Sequence, residues 1–188
     1  MHITPLSRSE YEYFELHYTY TAKEHYVPFL VDEKDVFSVA FRREALPIPY
    51  HHESYDAMCS DWKDSEAFGI SEREGEKPIG YLEVWVEDWN ARLRICNLLI
   101  DEQYRGRGFG TALIEHAKAL AAERELRCVV LETQSCNVPA IDFYRKCGFR
   151  FAGTNLFFYS NDDIREDEVM LEMACLIWNI QINERDLL

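Results

Sequence analysis

The sequence lacks any long hydrophobic run. No stretch of the 188 residues approaches the roughly 20 consecutive apolar residues that a membrane-spanning helix requires. The first twenty residues contain neither an apolar core nor a small-residue cleavage site, so we expect no secretory signal there. With 47% apolar residues, the chain is expected to form one domain over residues 1–188 with a sizeable core.

Positive charge is also scarce. The chain has 20 Lys and Arg against 34 Asp and Glu, which gives a formal net charge of −14. Nucleic-acid binding depends on concentrated Lys and Arg, so we expect no nucleic-acid partner. An acidic field suits a cationic substrate, because it raises the local concentration of positive ions. Charge alone, however, favours the simpler interpretation of solubility.

The six cysteines include no Cys-x-x-Cys pair, and several lie in apolar runs. This pattern favours reduced, mostly buried thiols in a cytoplasmic protein. Cys147, beside Gly148, could be a reactive thiol, although a space-filling role is the favoured interpretation. The last segment, residues 178–188, shows no clear pattern and is predicted to be a loose tail.

The second half of the chain alternates strand and helix patterns. Two strand-like runs flank a Glu-Gly-Glu-Lys-Pro turn within residues 66–89, as in a hairpin. Next come the strand "RLRICNLLID", a helix over 111–125, the strand "RCVVLETQ", a helix ending at Gly148 and the strand "EVMLEMACLI". This order predicts an α/β (α+β) domain with a mixed sheet.

The first third of the chain is harder to interpret. Residues 11–26 are rich in Tyr, Glu and His, and their mixed periodicity is interpreted as a helix. The segment "DEKDVFSVAFRREALP" is predicted to be a helix or loop that ends before Pro47. The polar segment "HHESYDAMCSDWKDSE" is predicted to be a loop or short helix.

Glycines are few, yet three of the eight lie together at Gly106, Gly108 and Gly110, between a strand and a helix. A helix N-terminus presents unpaired N–H groups and a partial positive charge, and glycines let a ligand approach that backbone. The turn therefore predicts a phosphate site, or else a tight turn without a ligand. No Gly-Lys-Ser or Gly-Lys-Thr follows, and the spacing differs from a Rossmann fingerprint.

A second motif lies downstream. Asn137, Ala140, Phe143-Tyr144 and Gly148-Phe149 follow the pattern Asn-x-x-Ala-x-x-Phe-Tyr-x-x-x-Gly-Phe. Together with Arg105, Gly108 and Gly110, this motif resembles the GNAT superfamily of acetyl-CoA-dependent N-acetyltransferases over roughly residues 78–172. The resemblance implies a GNAT fold: a central, mostly antiparallel mixed sheet flanked by helices, with its central strands splayed apart.

The resemblance also implies roles for the motif residues. The turn would hold the pyrophosphate of acetyl-CoA, and the strand before it would pair with the pantetheine arm. Asn137 would hydrogen-bond the pantetheine, and Tyr144 would protonate the leaving thiolate, although it could otherwise be a core aromatic. The implied cofactor-binding residues are Leu98, Leu99, Ile100, Arg105, Gly106, Arg107, Gly108, Phe109, Gly110, Thr111, Asn137, Ala140 and Tyr144. The resemblance implies no metal, and because GNAT proteins often form dimers, it raises the expectation of a homodimer.

A finer resemblance is to the streptothricin acetyltransferase branch of GNAT. The segments "LETQSCN", "DWNARLRI" and "FYSNDDI" carry it. It implies a cationic small-molecule acceptor, the β-lysine amine of streptothricin, held by carboxylates. The candidate carboxylates are Glu83, Glu87, Asp88, Glu132, Asp162 and Asp163.

Glu132 lies within an apolar strand, where an unpaired carboxylate is costly, so it either faces a substrate or pairs with an arginine such as Arg94. Glu83 has a similar setting, and Asp162 could be a turn residue. Trp85, Trp89 and Tyr159 could contact a cation, although core packing is at least as well supported.

The general base is left open. Many GNAT enzymes carry Glu or Asp on the central strand, whereas this strand has Asn97, which cannot act as a base. Glu83 or Glu132 acting through a water would serve, as would a minor fraction of neutral amine. Two other functions also remain: acetylation of a protein or peptide amine, and a non-catalytic acyl-CoA sensor.

Overall fold

We describe residues 1–177 of a computed structural model of the chain. The predicted tail at 178–188 lies outside these residues. The strands are β1 (His2–Leu6), β2 (Glu15–Glu33), β3 (Val36–Ala57), β4 (Glu66–Ser71), β5 (Gly80–Glu87), β6 (Arg92–Ile100), β7 (Cys128–Gln134), β8 (Arg150–Asn155) and β9 (Met170–Leu176). The helices are α1 (Arg8–Tyr11), α2 (Phe109–Glu123), α3 (Val138–Lys146) and α4 (Asp163–Glu166).

Seven strands form one sheet in the order β1-β4-β5-β6-β7-β9-β8. All neighbours in it are antiparallel except β6 and β7, which run parallel. Helix α2 is the crossover between that parallel pair, as a parallel connection requires. The predicted mixed, mostly antiparallel α/β sheet is confirmed, together with each strand and helix predicted between residues 66 and 176.

The two helices beside the sheet form where the sequence gives clear signals. In α2, a stripe of buried residues recurs at helical spacing: Phe109, Leu113, Ile114, Ala117 and Ala121. In α3, the side chain of Asn137 caps the first turn by accepting a hydrogen bond from the Ala140 N–H at 3.2 Å. That helix ends before Gly148, whose φ of 89° is readily adopted only by glycine.

The first third of the chain is a long antiparallel hairpin, β2 and β3, separate from the main sheet. The predicted helix over 11–26 is wrong, and the segments predicted as helix or loop around Pro47 are largely strand. The pairing skips residues 46–49, which include Pro47 and Pro49. Proline lacks the N–H that a ladder needs, so this irregularity accommodates both prolines within an otherwise regular hairpin.

The hairpin packs against both buried clusters of the domain. Leu16 of β2 lies with Met58, Tyr81 and Leu99 in a small cluster on one face of the sheet. Tyr26, ten residues further along the same strand, belongs to the main cluster with α2 and α3. The hairpin therefore crosses from one face of the sheet to the other, and it does so where β6 and β7 part.

Candidate active site

A cleft of about 740 Å³ opens between β6 and β7. The parallel ladder joins these strands only as far as Ile95 and Leu131. Both strands continue beyond that point, to Ile100 and Gln134, without pairing to each other. The splayed central strands are thereby confirmed, and the cleft is the space between them.

A bulge at Cys96 lies at the point of divergence. The register of β5 and β6 pairs Val84 with Ile95 but Glu83 with Asn97, so Cys96 is the extra residue. One extra residue reverses which face the following side chains take. The bulge thus brings Asn97 opposite Glu83 on the face that the hairpin covers.

The free edge of β6 offers main-chain groups to the cleft. The Asp101 N–H bonds to the Ile79 carbonyl at 2.9 Å, on the side away from the cleft. Because main-chain groups alternate in direction along a strand, those of Leu98 and Ile100 point into the cleft. The Ile100 carbonyl accepts a hydrogen bond from Arg105 Nε at 3.0 Å, so Arg105 lies at the end of this edge.

The glycine turn leads from this edge into α2. Gly106 and Gly108 have φ of 74° and 90°, a region that residues with side chains rarely adopt. No side chain caps α2, and its first internal bond is from the Ala112 N–H to the Gly108 carbonyl at 3.0 Å. The N–H groups of residues 109–111 therefore lack intrahelical partners and are available to a ligand, as is typical of anion sites at helix N-termini.

A glycine at position 110 is needed for a different reason. A Cβ there would lie 3.1 Å from Cζ of Phe143 on α3, so the glycine lets the two helices approach closely beside the cleft. Phe143 and Tyr144 both line the cleft.

Tyr144 is held by aromatic neighbours. Its ring centroid lies 5.4 Å from that of Phe143 and 6.0 Å from that of Phe149. Burial, and to a smaller extent the thiol of Cys147, raises the pKa of Tyr144 to about 12. Its hydroxyl therefore stays protonated at neutral pH and can donate a proton or a hydrogen bond within the cleft.

A chain of three side chains runs from the cleft to the buried side of β5. Tyr18 donates to Asn97 Oδ1 at 2.7 Å, and Asn97 Nδ2 donates to Glu83 Oε2 at 2.9 Å. The same Glu83 oxygen accepts the Cys59 N–H at 3.1 Å. Glu83 has no solvent exposure, and its Oε1 has no hydrogen-bond partner among the described residues. Asn97 and Tyr18 therefore separate Glu83 from the cleft, which it was expected to face.

The hairpin forms the roof of the cleft, and sequence reasoning missed it. Its inward side chains alternate with outward ones, since His17 bonds Glu53 at 2.7 Å and Thr21 bonds His51 at 3.0 Å on the outer face. In the sequence, Leu16, Tyr18, Tyr20 and Ala22 alternate with polar residues, which is the strand signal that was available. The inward residues that line the cleft are Tyr18, Tyr20, His52, Ser54 and Asp56.

Glu132 lines the opposite wall. Its side chain is exposed in the cleft, where Tyr159 Oη donates to Oε1 at 2.5 Å. Arg94 is not its partner, because that guanidinium bonds Glu87 at 2.5 Å and Glu172 at 3.1 Å. Burial and the bond to Glu132 raise the pKa of Tyr159, which keeps the phenol a hydrogen-bond donor.

Comparisons with known proteins agree with this geometry. Residues 34–149 match the model of the acetyltransferase (GNAT) family. The chain belongs to the GNAT family. It is 30% identical over 141 residues to a streptothricin acetyltransferase of Escherichia coli, a match that covers 75% of this chain and 79% of that protein. The chain is therefore an acetyl-CoA-dependent N-acetyltransferase.

Two solved structures share the GNAT fold over nearly the whole chain. A nourseothricin acetyltransferase superposes with a TM-score of 0.71 at 24% identity, covering 94% of this chain and 98% of that one. A protein from Bacillus anthracis str. Ames, solved in complex with acetyl coenzyme A, gives a TM-score of 0.67 at 23% identity, covering 93% and 95%. Because these superpositions cover more than nine-tenths of the chain, they include most of the long hairpin.

The cleft brings together most of the residues expected to contact acetyl-CoA. Arg107 instead points away and pairs with Glu72, and Phe109 is buried in the core. Leu99 lines the cleft, although its side chain packs in the small cluster. The predicted cofactor residues that line the cleft are Leu98, Leu99, Ile100, Arg105, Gly106, Gly108, Gly110, Thr111, Asn137, Ala140 and Tyr144.

Three of the residues predicted to bind the acceptor, Glu83, Trp85 and Asp162, are not among those that line the cleft. Trp85 packs against Trp62 with the rings tilted and their centroids 4.7 Å apart, and Asp162 forms an ion pair with Arg165 at 3.0 Å. Within residues 1–177, no three His, Cys, Asp or Glu side chains are grouped as metal ligands. No helix in the same part of the chain is long and apolar enough to cross a membrane.

Proposed function

We propose that this enzyme acetylates an amino group of a polycationic small molecule, with the β-lysine amine of streptothricin as its acceptor. The observation that carries the proposal is the Glu132 carboxylate, which is exposed in the cleft and free of any arginine partner among the described residues. The similarity over 141 residues to a streptothricin acetyltransferase supports the choice of acceptor.

The cosubstrate has a fitting site along the cleft. We propose that the N–H groups of the turn at residues 106–111 bind the pyrophosphate, since the Arg105 N–H already bonds the Glu102 carbonyl at 3.2 Å. We also propose that the main-chain groups of Leu98 and Ile100 hydrogen-bond the pantetheine arm. The first set matches an anion, and the second matches an amide-bearing chain laid beside a strand edge. Acetyl-CoA supplies the thioester that the acceptor amine attacks.

Tyr144 is proposed as the general acid. Departure of a thiolate needs a proton, and Tyr144 lines the cleft with a pKa raised to about 12, so its hydroxyl carries that proton throughout the neutral range. Asn137 also lines the cleft, but its Oδ1 caps α3, which leaves its amide nitrogen as the group available to the pantetheine.

The acceptor would lie between the roof and β7. Glu132 supplies a negative charge and Tyr159 fixes that carboxylate by a hydrogen bond. Aromatic side chains on the roof, Tyr18 and Tyr20, add faces that attract cations. Glu83 is proposed to position Asn97 and Tyr18, since it reaches the cleft only through them.

The proposal is tested by measuring thiol release from acetyl-CoA by the purified protein. Streptothricin is offered as acceptor beside aminoglycosides, polyamines and basic peptides. We expect rapid release with streptothricin and slow or no release with the peptides. Release with peptides alone would overturn streptothricin as the acceptor in favour of a protein amine. The conclusion that the enzyme is an acetyltransferase would stand.

A further inference from the structure

The reaction requires a group that takes a proton from the acceptor. A lysine-type amine has a pKa near 10.4, so at neutral pH almost all of it arrives as an ammonium ion that cannot attack a thioester. A carboxylate within reach of the bound ammonium would both hold it and accept its proton. The question is which carboxylate of this chain has that position.

Among the described residues that line the cleft, two carry carboxylates, Asp56 and Glu132. Glu132 already accepts a hydrogen bond from the Tyr159 phenol at 2.5 Å. Asp56 uses Oδ1 for the N–H of its neighbour Ala57 at 2.7 Å. Within the described part of the chain, neither Asp56 Oδ2 nor Glu132 Oε2 has a hydrogen-bond partner, so each carboxylate keeps one oxygen for a ligand and position decides between them.

Asp56 lies at the end of the cleft where the strands part. On the roof it follows Ser54, whose register partner is Tyr18, and Tyr18 bonds Asn97 next to the Cys96 bulge. The negative charge of Asp56 raises the pKa of both Tyr18 and Cys96. Tyr18, Asp56, Cys96 and Tyr144 all line this cleft, and both Asp56 and Tyr144 raise the pKa of Tyr18.

The other candidate base at this end is Glu83, but Asn97 and Tyr18 separate it from the cleft. We propose that Asp56 receives the reacting ammonium group and accepts its proton. This inference rests on the proposed function, because it assumes a cationic amine acceptor. It assigns the proton acceptor to the roof of the cleft, away from the central strand.

The protons balance in this scheme. The ammonium gives one proton to Asp56 and becomes a neutral amine, whose nitrogen forms a bond to the acyl carbon. The carbon–sulfur bond breaks, and the departing sulfur takes the hydroxyl proton of Tyr144. After the attack, the nitrogen carries one proton more than the amide product, and it passes this proton to the Tyr144 phenolate. Asp56 releases the proton it accepted to solvent. The products are the amide, the free thiol and one proton.

The surroundings of Asp56 suit a proton acceptor. Although Asp56 is exposed to solvent, partial desolvation raises the pKa of its carboxyl, the Ala57 N–H lowers it, and the negative charges of Asp61 and Glu83 raise it further. Tyr18 from β2 and Cys96 from β6 also lie within range of its charge, and His52 lies further along the same inner face of β3. A raised pKa brings the carboxylate closer to the pH at which the enzyme works, which favours proton transfer.

The experiment compares Asp56→Asn with Glu53→Gln. Glu53 lies three residues away on the outer face of the same strand, bonded to His17, so this variant removes the same charge without touching the cleft. We expect Asp56→Asn to lower kcat/KM for the acceptor at neutral pH by about 100-fold or more. Its acidic limb should no longer report the Asp56 carboxyl but should rise with pH toward the pKa of the free amine, near 10.4. Glu53→Gln should keep the wild-type kcat/KM and pH profile, and both variants should keep the wild-type affinity for acetyl-CoA. Asp56→Glu should retain part of the activity that Asp56→Asn loses.

Equal kcat/KM and an unchanged pH profile in Asp56→Asn and Glu53→Gln would overturn the role of Asp56. If the wild-type enzyme acetylates another amine of the panel and not streptothricin, only the streptothricin assignment is overturned. The Asp56 variants are then compared with that amine as acceptor. A wild type that turns over no amine would contradict both proposals. Thermal unfolding of each variant verifies that the folded state is retained.

Discussion

The two sides of the cleft are built in different ways. The floor, formed by β6, the glycine turn and the start of α2, presents mainly backbone groups to the cleft. The roof, formed by β2 and β3, presents side chains: phenols, a histidine and a carboxylate on its inner face. The floor would serve a cosubstrate that is common to the whole family, and the roof would serve the acceptor.

This difference explains which part of the site a motif can encode. Backbone groups depend on geometry, and geometry depends on residues such as Gly106 and Gly108 that tolerate positive φ. Such residues stand out in a single sequence. A wall of side chains depends only on alternation along a strand, and that pattern is shared by every half-buried strand.

The largest expected effect lies beside the floor, at the proposed acid. Changing Tyr144→Phe removes the hydroxyl while the ring keeps its packing against Phe143 and Phe149. We expect kcat to fall by about 100-fold or more, the range for loss of a general acid, with little change in the Kd of acetyl-CoA. Steady-state kinetics and calorimetric titration measure the two quantities.

The pH dependence sharpens this test. Because the folded protein raises the pKa of Tyr144 to about 12, its hydroxyl is protonated at every pH below that value. The wild type should therefore lose no turnover through Tyr144 between neutral pH and about pH 10. A Phe variant with wild-type kcat would remove Tyr144 from the mechanism and leave it a packing residue.

A smaller effect is expected where the roof meets the floor. Tyr18→Phe leaves the Oδ1 of Asn97 without its donor, and Asn97 is only 6% exposed. An unsatisfied buried acceptor costs about 1–3 kcal/mol, so the free energy of unfolding should fall by about that amount in urea titrations. Tyr55→Phe on the outer face, where the phenol bonds the exposed Glu53, is the matched control. Equal losses in the two variants would show that the Tyr18–Asn97 bond contributes nothing specific.

The sequence predicted the floor well and the roof poorly, for physical reasons. In residues 66–176, local sequence patterns predict the strands and helices: a hairpin turn, the capping residue of α3 and the amphipathic spacing of α2. The hairpin gives weaker signals, because Pro28, Pro47 and Pro49 suggest interruptions and its aromatics suit either helix or strand. Its position over the cleft depends on distant contacts, such as Arg145 to the Tyr26 phenol at 2.9 Å, which no local pattern reveals.

The fate of single site residues follows the same division. Glu83 and Glu132 have similar settings in the sequence, each a carboxylate within an apolar strand. The bulge at Cys96 provides Glu83 with a buried amide partner, whereas Glu132 faces the open space beyond the last β6–β7 pair. Asp56 was not a candidate, because its segment was interpreted as a loop or short helix.

The smallest expected effect tests whether the acceptor is held by both walls of the cleft. Glu132→Gln removes one exposed charge, and such contacts are worth about 0.2–1 kcal/mol in water. We therefore expect KM to rise up to about fivefold for a polycationic acceptor and hardly at all for a monoamine, with kcat preserved. Glu123→Gln, an exposed carboxylate at the end of α2, controls for the change in net charge. A larger effect than that of Asp56→Asn on kcat/KM would shift the proton acceptor from the roof to β7, because only a group in the proton path exceeds what an exposed ion pair contributes.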